Sequence, residues 1–122
     1  MPPSGHDGWS KHVLGLAYYR AGRHDQATAC LGKALQDERD WEHNVLNWLV
    51  LAMAEQRLGH GAAARRWLDR AEKWIKQKTP GAGRGGSAFA VPGWHWRDAL
   101  MVQLFRREAA ALLGREEPNN HG

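Results

Sequence analysis

The sequence predicts an all-α fold of two helix hairpins followed by a covering helix. Three observations carry that reading. Apolar residues recur at spacings of three and four through most of the 122 residues, the pattern of helices with one buried stripe. No segment alternates apolar and polar residues with period two, so no strand is expected. Two of the helical stretches stop at a glycine, Gly22 and Gly59, as chains do where a residue able to take positive φ follows a helix end.

The elements follow in order. Residues 1–8, rich in Pro, Gly and Ser, read as a flexible N-terminus. The first helix starts at Trp9 and has Val13, Leu14, Ala17, Tyr18 and Ala21 as its stripe. Asp25 caps or charges the start of the second helix, whose stripe is Ala27, Cys30, Leu31, Ala34 and Leu35. Asp40 is the expected N-cap of the third, with Val45, Trp48, Leu49, Ala52, Met53 and Leu58 apolar. The fourth carries Ala63, Ala64, Trp67, Leu68, Ala71, Trp74 and Ile75. The two hairpins thus span about 9–38 and 40–76. Residues 77–93 hold five glycines and two prolines and read as a loop. A last helix over 94–114 presents Trp96, Leu100, Met101, Leu104, Phe105 and Leu112. Residues 115–122 read as a flexible tail.

The composition narrows the function. Net charge is +4, and the 17 basic residues divide into 12 Arg and 5 Lys. So small an excess serves solubility and leaves nucleic-acid binding as an alternative, not the leading reading. Cys30 is the single cysteine, which excludes an intrachain disulfide and an all-cysteine zinc site. No run reaches the length of a membrane span, and MPPSGHDGW does not have the build of a secretory signal. A cytoplasmic protein without a membrane partner is expected.

The second hairpin repeats the first at an offset of 37 residues. Leu14–Gly15 falls on Leu51–Ala52, Gly22 on Gly59, Ala27 on Ala64, Leu31 on Leu68 and Ala34 on Ala71. Small residues meet small and large meet large, as in stacked supersecondary units. The pattern resembles the tetratricopeptide repeat, a helix–turn–helix of about 34 residues. Trp48 precedes Leu51 by three, as that family's tryptophan precedes its Leu-Gly pair, and Tyr18 matches its aromatic position. Lys11 stands at the tryptophan position of the first unit, with Trp9 nearby. Glu55 departs from the aromatic position, and the closing proline is missing from both units. YRAGRHDQATACLGKAL, LAMAEQRLGHGAAARRWLDRA and LFRREAAALLG are also similar to the C-terminal repeat segment of large bacterial serine/threonine kinases. The kinase motifs themselves are absent from this sequence.

The resemblance implies an α-α superhelix of two hairpins, capped by the last helix on the flank of the second. It also implies a concave groove for an extended peptide or protein segment. Carried over position by position, the groove residues are His12, Leu16, Tyr19 and Arg20 from the first unit, with Trp9 beside them. Leu46, Leu49, Met53, Gln56 and Arg57 come from the second. The family's carboxylate clamp asks for Lys and Asn where His12 and Leu16 stand, so clamp-type binding is not expected. Arg20 and Arg57 would select acidic character through charge-assisted hydrogen bonds. Against this stands the reading that the last helix covers these apolar positions.

Other chemistry is thin. Gly81, Gly83 and Gly86 spell GxGxxG, but a dinucleotide site needs a strand before and a helix directly after. Seven histidines form no metal-binding spacing. His24 and His60 follow the turn glycines and read as exposed, while His95 between Trp94 and Trp96 stacks or caps. Cys30 lies on a stripe with no base beside it and reads as a buried, inert thiol. Arg65, Arg66, Arg70, Lys73, Lys76 and Lys78 make the fourth helix basic against Asp69 and Glu72. That face is a solvated surface or, alternatively, a site for RNA. A homodimer through an open apolar flank is the remaining alternative. No enzyme, cofactor or metal site is expected.

Overall fold

The computed structural model describes residues 4–78 and 94–116, with side chains over 8–78 and 94–114. All regular structure among them is helical: α1 (Ser4–Arg20), α2 (His24–Asp37), α3 (Asn44–Arg57), α4 (Gly61–Lys78) and α5 (Trp96–Glu116). α1 therefore begins ahead of the expected start at Trp9, and α4 runs to Lys78. The GxGxxG stretch and the tail beyond 116 lie outside the described residues.

α3 is the centre. It packs against α1, α2, α4 and α5, and Val45, Leu46, Leu49, Val50, Leu51, Ala52, Met53 and Ala54 along it are all buried. A helix enclosed on every side has to be apolar almost all round, and the run VLNWLVLAMA meets that demand. α2 and α4 each bury one stripe, Ala27, Leu31 and Ala34 in the first and Ala64, Leu68, Ala71 and Ile75 in the second. Their other faces are polar, as amphipathic outer helices require.

The repeat is visible in the backbone. Gly22 and Gly59 take φ of +83° and +85°. After Gly22, Arg23 N–H bonds Tyr18 C=O at 2.9 Å, while Gly22 N–H bonds Tyr19 C=O at 3.1 Å. After Gly59, His60 N–H bonds Glu55 C=O at 2.9 Å, while Gly59 N–H bonds Gln56 C=O at 3.1 Å. Both are Schellman turns, and the left-handed position explains the glycine. The small positions are closed in register too: Ala27 and Ala64 are each 0% exposed. Gly15 has its own reason. A Cβ there would lie 2.5 Å from Leu31 Cγ, so α1 crosses α2 at a distance only glycine permits.

Several expected details shift. The N-cap of α3 is His43, not Asp40, because the chain turns through 38–43 first. Asn44 Nδ2 ties that turn back by donating to Glu38 C=O at 2.8 Å. Asp25 charges the first turn of α2, whose N-cap is Arg23. Cys30 is half-buried, with burial pushing its thiol up from the ordinary value. On α1 the buried side carries His12, Gly15 and Tyr19, while Val13 and Leu14 are 56% and 49% exposed. On α5 Trp96, Leu100 and Leu104 face outward, and Ala99, Val102, Phe105, Ala109, Leu112 and Leu113 are buried. In both helices a small residue marks the packed face, because close approach sets which side is buried.

Candidate functional site

The residues expected to line a groove lie on α1 and α3, with α5 beside them. α5 packs on α3 and α4 and reaches across to α1. Phe105 meets His12 with ring centroids 6.1 Å apart. Arg20 and Glu108 form a bidentate pair, Nη1 to Oε2 at 2.5 Å and Nη2 to Oε1 at 2.9 Å. Arg57, a helix away on α3, adds its charge to the same carboxyl. The hydrogen bond from Arg20 is the main cause holding the Glu108 carboxyl below its usual range. The same bond raises the Arg20 guanidinium.

Each predicted groove residue can now be placed. His12, Leu46, Leu49 and Met53 are 0% exposed and Tyr19 is 6% exposed, so all five belong to the core. Leu16 and Gln56 are half-buried, while Arg20 and Arg57 remain exposed. Five of the nine expected groove residues thus lie inside the helical core, and the two arginines stay at its surface.

Beneath α5 lies a polar chain that sequence reasoning did not find. Asn44 Nδ2 donates to Glu38 C=O, which leaves Asn44 Oδ1 to accept from Asn47 Nδ2 at 2.8 Å. Asn47 Oδ1 then accepts from His12 Nδ1 at 2.8 Å. The order of the chain fixes the tautomer: His12 carries its proton on Nδ1, and Nε2 is bare. That Nε2 is buried and has no partner among the described residues. Burial is the main cause lowering the His12 pKa; the Asn47 bond opposes the shift, and the charge of His43 adds to it.

His43 stands beside this chain. Its ring lies against Trp94 at 3.9 Å and an 8° interplanar angle, with Trp41 at 5.5 Å and 30°. Its Nε2 donates to Asp98 of α5 at 3.2 Å, and its Nδ1 has no partner among the described residues. Trp9 touches both imidazoles, at 6.1 Å for His12 and 5.0 Å for His43. The available signal was HNVLN, two asparagines three apart on an otherwise apolar helix.

The remaining candidates take their places outside this face. His24 lies tilted against Tyr19 with ring centroids 5.4 Å apart, and His60 contacts Glu55 at 2.7 Å. His95 caps α5, its Nδ1 accepting from Arg97 N–H at 3.1 Å, and packs on Trp96. The α4 cations Arg65, Arg66, Arg70, Lys73, Lys76 and Lys78 are exposed, with Arg70 lying 4.6 Å from the Trp48 ring. Among the described residues, no group of three or more His, Cys, Asp or Glu side chains is placed to hold a metal ion. Nor is any described helix long and apolar enough to cross a membrane. Comparison with protein-family models, with curated proteins and with solved structures found no match.

Proposed function

We propose that the chain is a non-catalytic interaction module of tetratricopeptide-like hairpins, whose α1/α3 groove binds an amphipathic helical segment of a protein partner. The observation that supports this reading is the occupant already there. α5 lays an apolar face on α3 and sets Glu108 between Arg20 and Arg57. A groove that holds one such helix defines the chemistry of a second: apolar residues at three and four, an aromatic at the Phe105 position and a carboxylate one turn on. The partner helix takes the place of α5 and reproduces its contacts.

A synthetic peptide of residues 96–116 tests this in trans. Tethered α5 competes at an effective concentration of about 1 mM, so the receptor is the full chain carrying Glu108→Arg, which sets like charge beside Arg20 and Arg57. The wild-type peptide is expected to bind this chain at least about tenfold more tightly than a Glu108→Arg peptide, the gain of a charge-assisted bidentate pair over a repulsive one. Chemical-shift changes should fall on α1 and α3. Equal affinity of the two peptides, or no binding by either, would overturn the proposal.

A further inference from the structure

Two imidazoles, His12 and His43, lie against α5. We propose that protonation of His12 undocks α5, so that mild acid opens the α1/α3 face. This rests on reading α5 as the occupant of that groove.

The geometry supplies the reason. His12 Nδ1 already donates to Asn47 Oδ1, so an added proton must go to Nε2. That atom is buried and has no acceptor among the described residues. An imidazolium there is a buried charge with an unmet donor, which is costly. The relief is water, which undocking of α5 admits. Phe105 of α5 closes over the His12 ring. The polar ties of α5 to the hairpins include two solvent-exposed pairs, Arg20–Glu108 and Arg106–Glu72, whose charges water can solvate when α5 lifts. α1 and α2 are joined by residues 21–23 and α2 and α3 by residues 38–43, whereas residues 79–95 separate α4 from α5.

The charged surroundings offer the imidazolium no rescue. On α1 the neighbours in sequence and along the helix are Lys11, bonded at 3.0 Å to Glu38 just past α2, and Arg20, committed to Glu108. α3 contributes the neutral Asn47 and, farther along, Arg57. α5 contributes Glu108, already paired, and Asp98, which takes the proton donated by His43 at 3.2 Å. The charge that does act on His12 is that of His43, and it opposes protonation. Glu108 is held below its usual range, so its titration lies at lower pH than the event described.

The sign follows from the lowered His12 value. The docked state binds fewer protons than the undocked one, so docking is complete above the ordinary histidine pKa of about 6.5 and weakens as pH falls below it. One proton raises the undocked population by up to about tenfold per pH unit until the docked-state pKa is reached.

The test is amide exchange of α5 in the full chain between pH 7.5 and pH 5, corrected for the pH dependence of intrinsic exchange. α5 protection is expected to fall by up to about tenfold per unit below about pH 6.5 while α3 stays protected. His12→Gln keeps a donor for Asn47 and carries no titrating proton, so its α5 protection should be independent of pH, whereas exposed His60→Gln should behave as wild type. If His12→Gln does not fold, the wild-type His12 C2–H resonance decides: its titration must coincide with loss of α5 protection. Protection of α5 that is flat with pH, or that still falls in His12→Gln, overturns the proposal. So does a fall that occurs while His12 remains neutral. The trans-peptide experiment at pH 7.5 is independent of these outcomes, so loss of the pH response and loss of the groove reading give different results.

Discussion

Leu49→Ala is expected to lower the unfolding free energy by about 2–5 kcal/mol, read as a fall in the denaturation midpoint with an unchanged slope. Leu49 is fully buried on the one helix that touches all four others. Truncation removes the transfer energy of the lost methyl groups and leaves a cavity that rigid neighbours on several sides fill poorly. Leu104→Ala is the matched control. Leu104 is 51% exposed, so it should change stability by no more than about 0.5 kcal/mol. A Leu49→Ala cost as small as that of Leu104→Ala would mean that α3 is not the centre of the core.

The second large effect concerns the buried polar chain. Asn47→Leu leaves the His12 Nδ1–H without an acceptor and Asn44 Oδ1 without its donor. Each unmet buried group costs about 1–3 kcal/mol, so a loss of about 2–4 kcal/mol is expected. The double variant His12→Leu/Asn47→Leu removes one unmet donor along with its acceptor and should recover at least about 1 kcal/mol of that loss. Chemical denaturation of the two single variants and the double variant closes a thermodynamic cycle. Additive effects would show that the bond between His12 and Asn47 is not coupled as its geometry requires.

What the sequence made legible, and what it hid, divides along physical lines. Local rules reached far. Glycine at Gly22 and Gly59 announced positive φ, and Gly15 announced the close approach of α1 to Leu31 of α2. The all-helical character followed from periodicity alone. Side-of-helix assignments failed where the packed face was small or polar. Hydrophobicity placed Val13 and Leu14 inward, whereas the crossing at Gly15 turns α1 so that His12 and Tyr19 lie inside. The same holds on α5, where Ala99 and Ala109 are buried and Trp96 is 68% exposed.

The site was half legible. Arg20 and Arg57 were recognisable as a rim for a carboxylate, since two arginines recurred at one offset. That the carboxylate belongs to this chain was not, because Glu108 is 88 residues from Arg20 and nothing local links them. The tautomer of His12 rests on Asn47, 35 residues away, and on Asn44 beyond it. Such a chain has no pattern of its own in one dimension; it exists only once α1 lies on α3.

The account turns on α5 being a separable occupant of a groove and not one more layer of a single core. Native-state hydrogen exchange of the full chain at pH 7.5, followed over increasing low denaturant, measures that directly. The account predicts that α5 amides such as those of Val102 and Phe105 exchange through an opening of lower free energy and smaller denaturant slope than the amides of α3, as a distinct cooperative unit does. If the amides of α5 and α3 exchange only through one shared opening, with the same free energy and the same slope, α5 is an inseparable part of the core and the groove reading is contradicted.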